Sequence, residues 1–166
     1  GGPCGPMKRS DDGGRTWKPL TVRAGRDGEI HLNHIFASSD GTLYIAAETG
    51  AAFRSTDGGA NWTSLLTGAS GSLWSGTVLE DGTVLLIGMT GRVLASRDRG
   101  ESWNALQTGT EQSFTSLAET GDGGFLAVGT GGTVLRVEPG LANVRATIRP
   151  DRQNLAALAL RPDGRP

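Results

Sequence analysis

Cysteine is almost absent from the chain: Cys4 is the only one in 166 residues. That excludes an internal disulfide framework and a cysteine-rich zinc site. Two histidines and one tyrosine leave little material for acid–base chemistry. No run of about 18 apolar residues occurs, so nothing reads as a membrane-spanning helix. Neither sign of charge dominates, since 16 Lys and Arg stand against 17 Asp and Glu for a net charge of -1. A strongly basic nucleic-acid binder and a polyacidic tail are both excluded. Residues Gly1 to Pro6 lack the charged and apolar regions of a secretory signal, and the first methionine is Met7. The expectation is a processed chain or a fragment with a loose tail over residues 1–7. Cys4 lacks the preceding apolar stretch of a lipid-anchored cysteine.

What the chain has in quantity is glycine, 27 residues, with 7 prolines. These turn residues recur with a period. Asp40-Gly41, Asp81-Gly82, Asp122-Gly123 and Asp163-Gly164 are spaced by 41 residues, and Gly50, Gly91 and Gly132 keep the same interval. Leu32, Leu73, Phe114 and Leu155 fall in register with them. A period in this range sets the whole fold. Within residues 73–106, Leu73 to Leu79 reads as a strand and Asp81-Gly82 as a hairpin turn with positive φ. Thr83 to Met89 is a second strand, whose apolar run Val84-Leu85-Leu86-Ile87 suits burial on both faces. Arg92 to Ser96 and Ser102 to Leu106 complete four strands. Four short strands per unit predict an all-β fold, a β-propeller of four-stranded antiparallel blades.

A second motif stands in register with the first. Ser10-x-Asp12-x-Gly14-x-x-Trp17, Ser55-x-Asp57-x-Gly59-x-x-Trp62 and Ser96-x-Asp98-x-Gly100-x-x-Trp103 share one pattern. The aspartate accepts backbone N–H groups of its own turn, glycine supplies a conformation other residues disfavour, and tryptophan packs over the turn. A structural role for Asp12, Asp57 and Asp98 is expected rather than acid or metal chemistry. Where a fourth copy is due, Val137 to Val144 has lost Ser, Asp, Gly and Trp, so this turn must be built differently.

Counting strands gives full blades over 31–66, 73–106 and 114–148. Residues 8–20 read as the outer two strands of a partial blade, and 155–166 as a partial blade beginning with an inner strand at 155–160. About three full blades with partial ends do not close a ring, so missing blades or a second copy are expected to complete it. The apolar residues Leu20, Val22, Leu155, Leu158 and Leu160 are expected to be exposed at the two ends of the arc. Trp74, on an inner strand, is expected to pack between blades or fill the channel.

The Ser-x-Asp-x-Gly-x-x-Trp turns resemble the Asp-box, also called the BNR repeat. The segments "RSDDGGRTW", "YIAAETGAAFRSTDGGANW", "LLIGMTGRVLASRDRGESW" and "LAVGTGGTVLRVE" are similar to the photosystem II stability/assembly factor-like family over residues 8–160. The resemblance implies a propeller, usually of seven blades, acting as a non-enzymatic scaffold. In phototrophs such proteins assist assembly of a membrane complex. Elsewhere they resemble exported or envelope proteins, which implies a periplasmic or otherwise exported location. A protein or peptide partner is implied, without nucleic acid, membrane insertion, cofactor or metal.

Asp-boxes also occur in sialidases and glucan hydrolases, so a glycoside hydrolase with catalytic residues partly outside this chain is the rival expectation. The sialidase arginine triad and its Tyr–Glu pair are not evident, and Tyr44 sits in an apolar strand. Glu48, Glu111 and Glu119 are the candidate carboxylates of a glucanase, but their spacing requires no acid–base pair. His31 and His34, three apart on a strand, point to opposite faces and are poorly placed to share a metal. The Gly-rich turns 121–124 and 129–132 lack the lysine and following helix of a phosphate loop. Asp-Gly turns and boxes occupy one face of the disc. The opposite face is the candidate binding face, carrying His31, Asn33, Glu48 and Thr49, then Ser70, Ser72, Met89 and Thr90, then Thr110, Glu111, Gln112 and Thr130. An insertion at Arg23 to Gly28 adds two arginines beside it.

Overall fold

The computed structural model describes residues 7–20, 22 and 30–161. Cys4, the insertion at 23–28 and the Asp163-Gly164 turn lie outside them. The regular structure of the described chain is almost all strand, joined by turns and three single-turn 3-10 helices at Glu48–Gly50, Thr130–Gly132 and Pro139–Leu141. β1 (Lys8–Arg9) and β2 (Lys18–Pro19) form an antiparallel pair. Three four-stranded antiparallel sheets follow, each ordered as the sequence runs. The first blade is β3 (Leu32–Ala37), β4 (Leu43–Ala47), β5 (Ala52–Ser55) and β6 (Thr63–Leu65). The second is β7 (Leu73–Val78), β8 (Val84–Gly88), β9 (Val93–Ser96) and β10 (Asn104–Ala105). The third is β11 (Phe114–Glu119), β12 (Phe125–Gly129), β13 (Thr133–Val137) and β14 (Val144–Ile148). This is the expected propeller architecture.

The core is a series of layers between blades, and strand alternation creates it. On β4, Ile45 and Ala47 pack toward β1 and β2 with Phe53, Met7, Val22 and Trp62. Their neighbours Tyr44 and Ala46 pack the other way, against Val84, Leu86 and Leu94 of the second blade. On β8, Leu85 and Ile87 face the third blade's Phe125, Ala127 and Leu135. The continuous apolar run of each second strand is therefore two alternating sets, one for each neighbouring blade.

Each inner strand carries a bulge at its second residue, at Asn33, Trp74 and Thr115. Asn33 Nδ2 donates to the Leu73 carbonyl of the next blade at 2.8 Å, and Thr115 Oγ1 donates to the Leu155 carbonyl at 2.6 Å. Phe36 lies where a Cβ on Gly76 would meet its ring at 2.5 Å, so only glycine permits that contact between blades.

Two expectations need correction. Residues 155–160 form no strand. They lie at the inner-strand place through Leu155 N–H on the Gly129 carbonyl and Leu158 N–H on Ser116 Oγ, but no second strand among the described residues supplies a ladder. Leu20, Val22, Leu155, Leu158 and Leu160 are half-buried rather than exposed. Val22 joins the first core layer, while the bonds at Leu155 and Leu158 hold their segment against β11 and β12. The Asp-Gly turns also differ in detail. Only the glycines take positive φ, at 84°, 85° and 82° for Gly41, Gly82 and Gly123. The aspartates instead accept the N–H of Thr42, Thr83 and Gly124.

Candidate functional site

The three boxes share one set of bonds. Ser55 Oγ donates to Asp57 Oδ1 at 2.8 Å and accepts Gly59 N–H at 2.9 Å. Asp57 Oδ1 accepts Asn61 N–H at 2.9 Å, and Trp62 Nε1 donates to the Gly59 carbonyl at 3.1 Å. Ser10, Asp12, Gly14 and Trp17 repeat this arrangement, as do Ser96, Asp98, Gly100 and Trp103. Both oxygens of each aspartate are engaged, because Thr16 Oγ1, Asn61 Nδ2 and Ser102 Oγ donate to the second one. These donors hold Asp12, Asp57 and Asp98 at about 2, well below the usual carboxylate range. Carboxylates so stabilised as anions are poor proton donors near neutrality. The position four residues after the aspartate escaped the sequence motif, although Thr, Asn and Ser there are all short side-chain donors.

The other face is built where the second-to-third turns meet the interblade loops. In the turns, residues 49, 90 and 131 are left-handed, with φ of 56°, 52° and 60°. Glu48 N–H donates to the His31 carbonyl, Met89 N–H to Ser72 and Thr130 N–H to Ser113. Thr67 and Thr108 hydroxyls latch the loops to the carbonyls of Gly50 and Gly91. Gln112 Oε1 accepts Thr130 Oγ1 at 2.9 Å. Ser70 is exposed in the loop after Ala69, whose carbonyl would sit 1.9 Å from a Cβ on Gly50. Thr90, Arg92, Leu106, Gln107, Thr110 and Glu111 line an open groove of about 510 Å³ beside the second blade.

The candidate acids and bases do not converge. Glu48 Oε1 accepts His31 N–H at 2.9 Å. Glu111 lines the groove, whereas Glu119 lies at the far end of β11 and accepts Glu80 N–H at 2.8 Å. His31 precedes β3 rather than lying in it. His34 Nδ1 lies 3.1 Å from Ser75 Oγ and accepts Gly76 N–H at 3.2 Å, and its ring stacks on Phe36 at 5.7 Å. Burial lowers its pKa from 6.5. Among the described residues no cluster of three or more His, Cys, Asp or Glu would hold a metal ion. Tyr44 is 2% exposed and part of the core.

Two large apolar side chains are exposed: Met89, in a turn that sequence register already assigns to the candidate face, and Trp74, on an inner strand with no motif to flag it as a surface group. Trp74 is 42% exposed and Met89 40%. Trp74 occupies the bulge place at which Asn33 and Thr115 bond to the next blade. An indole N–H on a larger ring takes the place of those short donors. Met89 lies over Gly71, 3.4 Å from where that residue's Cβ would be.

Comparison with known proteins agrees with this geometry. The solved structure of YCF48 bound to D1 peptide superposes with a TM-score of 0.73 at 23% identity, over 97% of this chain and 52% of that one. YCF48 from Cyanidioschyzon merolae gives a TM-score of 0.70 at 22% identity, over 93% of this chain and 53% of the other. Virginiamycin B lyase from Staphylococcus aureus, at 15% identity and a TM-score of 0.63 over 75% of this chain and 43% of its own, shares the fold. This chain thus spans about half the length of the solved relatives it matches. No curated protein matches it in sequence. The family model described as photosynthesis system II assembly factor YCF48 matches residues 3–166, and the chain belongs to that family.

Proposed function

We propose that this chain is part of a non-enzymatic assembly scaffold that holds an extended segment of a partner protein on the face of turns and interblade loops. The observation that carries this reading is the family match across residues 3–166. Three features of the chain support it. The box aspartates are tied into their own turns, so the opposite face is the one left for a partner. Met89, exposed in the turn after β8, and Trp74, exposed on the inner strand β7, are the anchors we assign to it, since exposed aromatic and methionine side chains are frequent anchors of protein interfaces. The carboxylates there are separated and partly bonded to backbone, an arrangement suited to positioning a chain rather than to paired acid–base catalysis.

The solved YCF48 complex contains a D1 peptide, so a labelled D1 peptide is the first ligand to titrate, followed by fluorescence anisotropy. Trp74→Ala and Met89→Ala are expected to weaken binding about tenfold or more, as truncation of a central anchor does. Asp57→Asn, on the other face, should leave it within about twofold. Equal losses in all three variants, or no peptide binding by the folded protein, would sink the reading. A periplasmic or exported location, and the role of His31, Asn33, Glu48, Thr49, Ser70, Ser72, Thr90, Thr110, Glu111, Gln112 and Thr130 as contacts, are part of the same proposal.

A further inference from the structure

Blades in this chain meet through their faces and turns. Besides the apolar layers, an arginine clasp crosses each seam between full blades. Arg54 Nη1 donates to the Arg99 carbonyl of the second blade at 2.8 Å, and Arg97 Nη2 to the Gly140 carbonyl of the third at 2.9 Å. Arg99 and Gly140 hold the same place, 41 residues apart. The donor slides by two residues, because the second blade has Ala95 at the place of Arg54. The outer edge of a fourth strand takes no part in these seams, so a flanking blade does not cover it.

How much edge a blade presents depends on how its fourth strand begins and ends. β6 has three residues and β10 two. Each is cut short at one end by its box. At the other end the chain leaves the sheet, and the hydroxyls of Thr67 and Thr108, rather than backbone, take the carbonyls of Gly50 and Gly91. Short edge strands discourage recruitment of other chains. The third blade has lost both devices. Its turn closes with Glu138 N–H on the Asn143 carbonyl at 3.0 Å and Asn143 Nδ2 on Glu138 Oε2 at 2.7 Å, so pairing begins at once. Arg149 holds the place of Thr108, and its backbone N–H takes the Gly132 carbonyl at 2.9 Å. β14 is therefore five residues long, with no glycine, proline or bulge.

The same two bonds set the phase of the ladder. Residues 143, 145, 147 and 149 turn their N–H and C=O groups toward β13, so those of Val144, Ala146 and Ile148 point outward. No hydrogen bond from another described residue reaches them. Val144 and Ala146 pack with Leu135 and Val137 in the layer shared with the second blade. Alternation puts Ile148 on that side too, where it is 51% exposed. Arg145 and Thr147 point the other way. Arg145 lies opposite Arg136 on β13. Asp122 matches the charge of Arg136 at 2.8 Å, whereas Arg145 has no carboxylate partner among the described residues.

We propose that the outer edge of β14 takes an extended segment of a partner protein as a fifth, antiparallel strand of the third blade, with apolar residues opposite Val144, Ala146 and Ile148 and an acidic residue opposite Arg145. Main-chain bonds to three residues in phase supply the affinity, and the alternating side chains supply the selection. Arg145 stands in the non-hydrogen-bonded pairing with the added strand, where side chains approach closest and opposite charges attract across strands. This surface is the rim of the blade, so the inference is independent of the peptide-binding reading of the loop face.

The probe is a capped, fluorescein-labelled peptide Val-Thr-Val-Glu-Val, titrated with the 166-residue chain and followed by anisotropy. Saturable binding is expected, with slowed amide exchange at Val144, Ala146 and Ile148. The same peptide with Lys for Glu should bind about fivefold more weakly, and N-methylation of its central valine should cost about tenfold. Ala146→Pro removes an outward N–H and no bond to β13. It should stay folded by circular dichroism and bind about tenfold or more weakly. Arg145→Glu should reverse the preference between the Glu and Lys peptides, which keeps the test independent of the proline. Trp74→Ala should leave binding unchanged. No saturable binding up to millimolar peptide overturns the inference, as does binding insensitive to N-methylation and to both β14 variants. Loss in Trp74→Ala would put the probe on the loop face and also overturn it. Self-association in sedimentation velocity that Ala146→Pro abolishes would make a second copy the occupant, and overturns the foreign strand.

Discussion

Replacing one box serine at a time separates the effect of a hydrogen bond from the effect of its burial. Ser96 is 0% exposed. Its hydroxyl accepts Gly100 N–H at 2.7 Å and donates to Asp98 at 2.7 Å. Gly100 is buried, and a Cβ on it would come within 2.8 Å of Leu65 Cδ1, so the turn is packed tightly against the first blade. Ser96→Ala leaves that N–H without an acceptor where water has little access, at a cost of about 1–3 kcal/mol. Ser10 makes the same bond to Gly14 N–H at 2.7 Å, but Gly14 is exposed and water replaces the hydroxyl. Ser10→Ala should therefore stay within about 0.5 kcal/mol of the wild type. For a chain of this length each kcal/mol is roughly 2–4 °C of melting temperature, so the two variants should melt clearly apart. Urea and thermal unfolding by far-ultraviolet circular dichroism give both numbers. A Ser10→Ala loss as large as that of Ser96→Ala would refute the claim that burial sets the cost.

Other perturbations follow from the same geometry. Partial burial of its ring lowers the His34 pKa from 6.5 and favours the neutral form. Its lowered folded pKa contributes stability above about 6.5 that is lost as pH falls below it, and thermal melts across that range should show a drop that His34→Gln removes. The box aspartates, at about 2 against 3.8, favour the fold above pH 3.8. That contribution should disappear between about 3.8 and 2, a second acid transition separable from that of His34 in a pH titration of the melt. Gly91→Ala would place a Cβ 1.8 Å from the Thr110 carbonyl at a φ of 68°, while Gly82→Ala meets nothing within 4 Å. The first should fail to give a soluble folded protein, and the second should lose only the backbone term of roughly 1–2 kcal/mol, read by denaturation.

The architecture was legible because the repeat carries its own phase. The Asp-Gly turns, the paired glycines and the run Val84 to Ile87 set strand order and burial on both faces, and β7 to β9 lie within a residue or so of their expected limits. The box was legible as a pattern of types, and its bonds follow from them. Less visible were features that depend on a neighbouring blade. The bulges at Asn33, Trp74 and Thr115 carry no local sequence signal, and nothing local distinguishes Trp74 as exposed. The arginine clasp was hidden because its donor slides from the place of Arg54 to that of Arg97 while its acceptor is backbone. Residues 155–160 have the side chains of an inner strand, but a strand is a paired object and no second strand among the described residues pairs with them. For the candidate binding face, sequence register grouped the loops, but side-chain chemistry alone did not reveal that Glu48 is bonded to His31 N–H or that Asn33 reaches the next blade.

Hydrogen exchange measured with and without the D1 peptide tests the central claim most directly. The account predicts slowed exchange in residues 48–50, 66–74, 89–92 and 107–113, with box turns 55–62 and 96–103 unchanged. Slowing concentrated in the box turns, or none at a peptide concentration well above that needed by the solved relative, would contradict it.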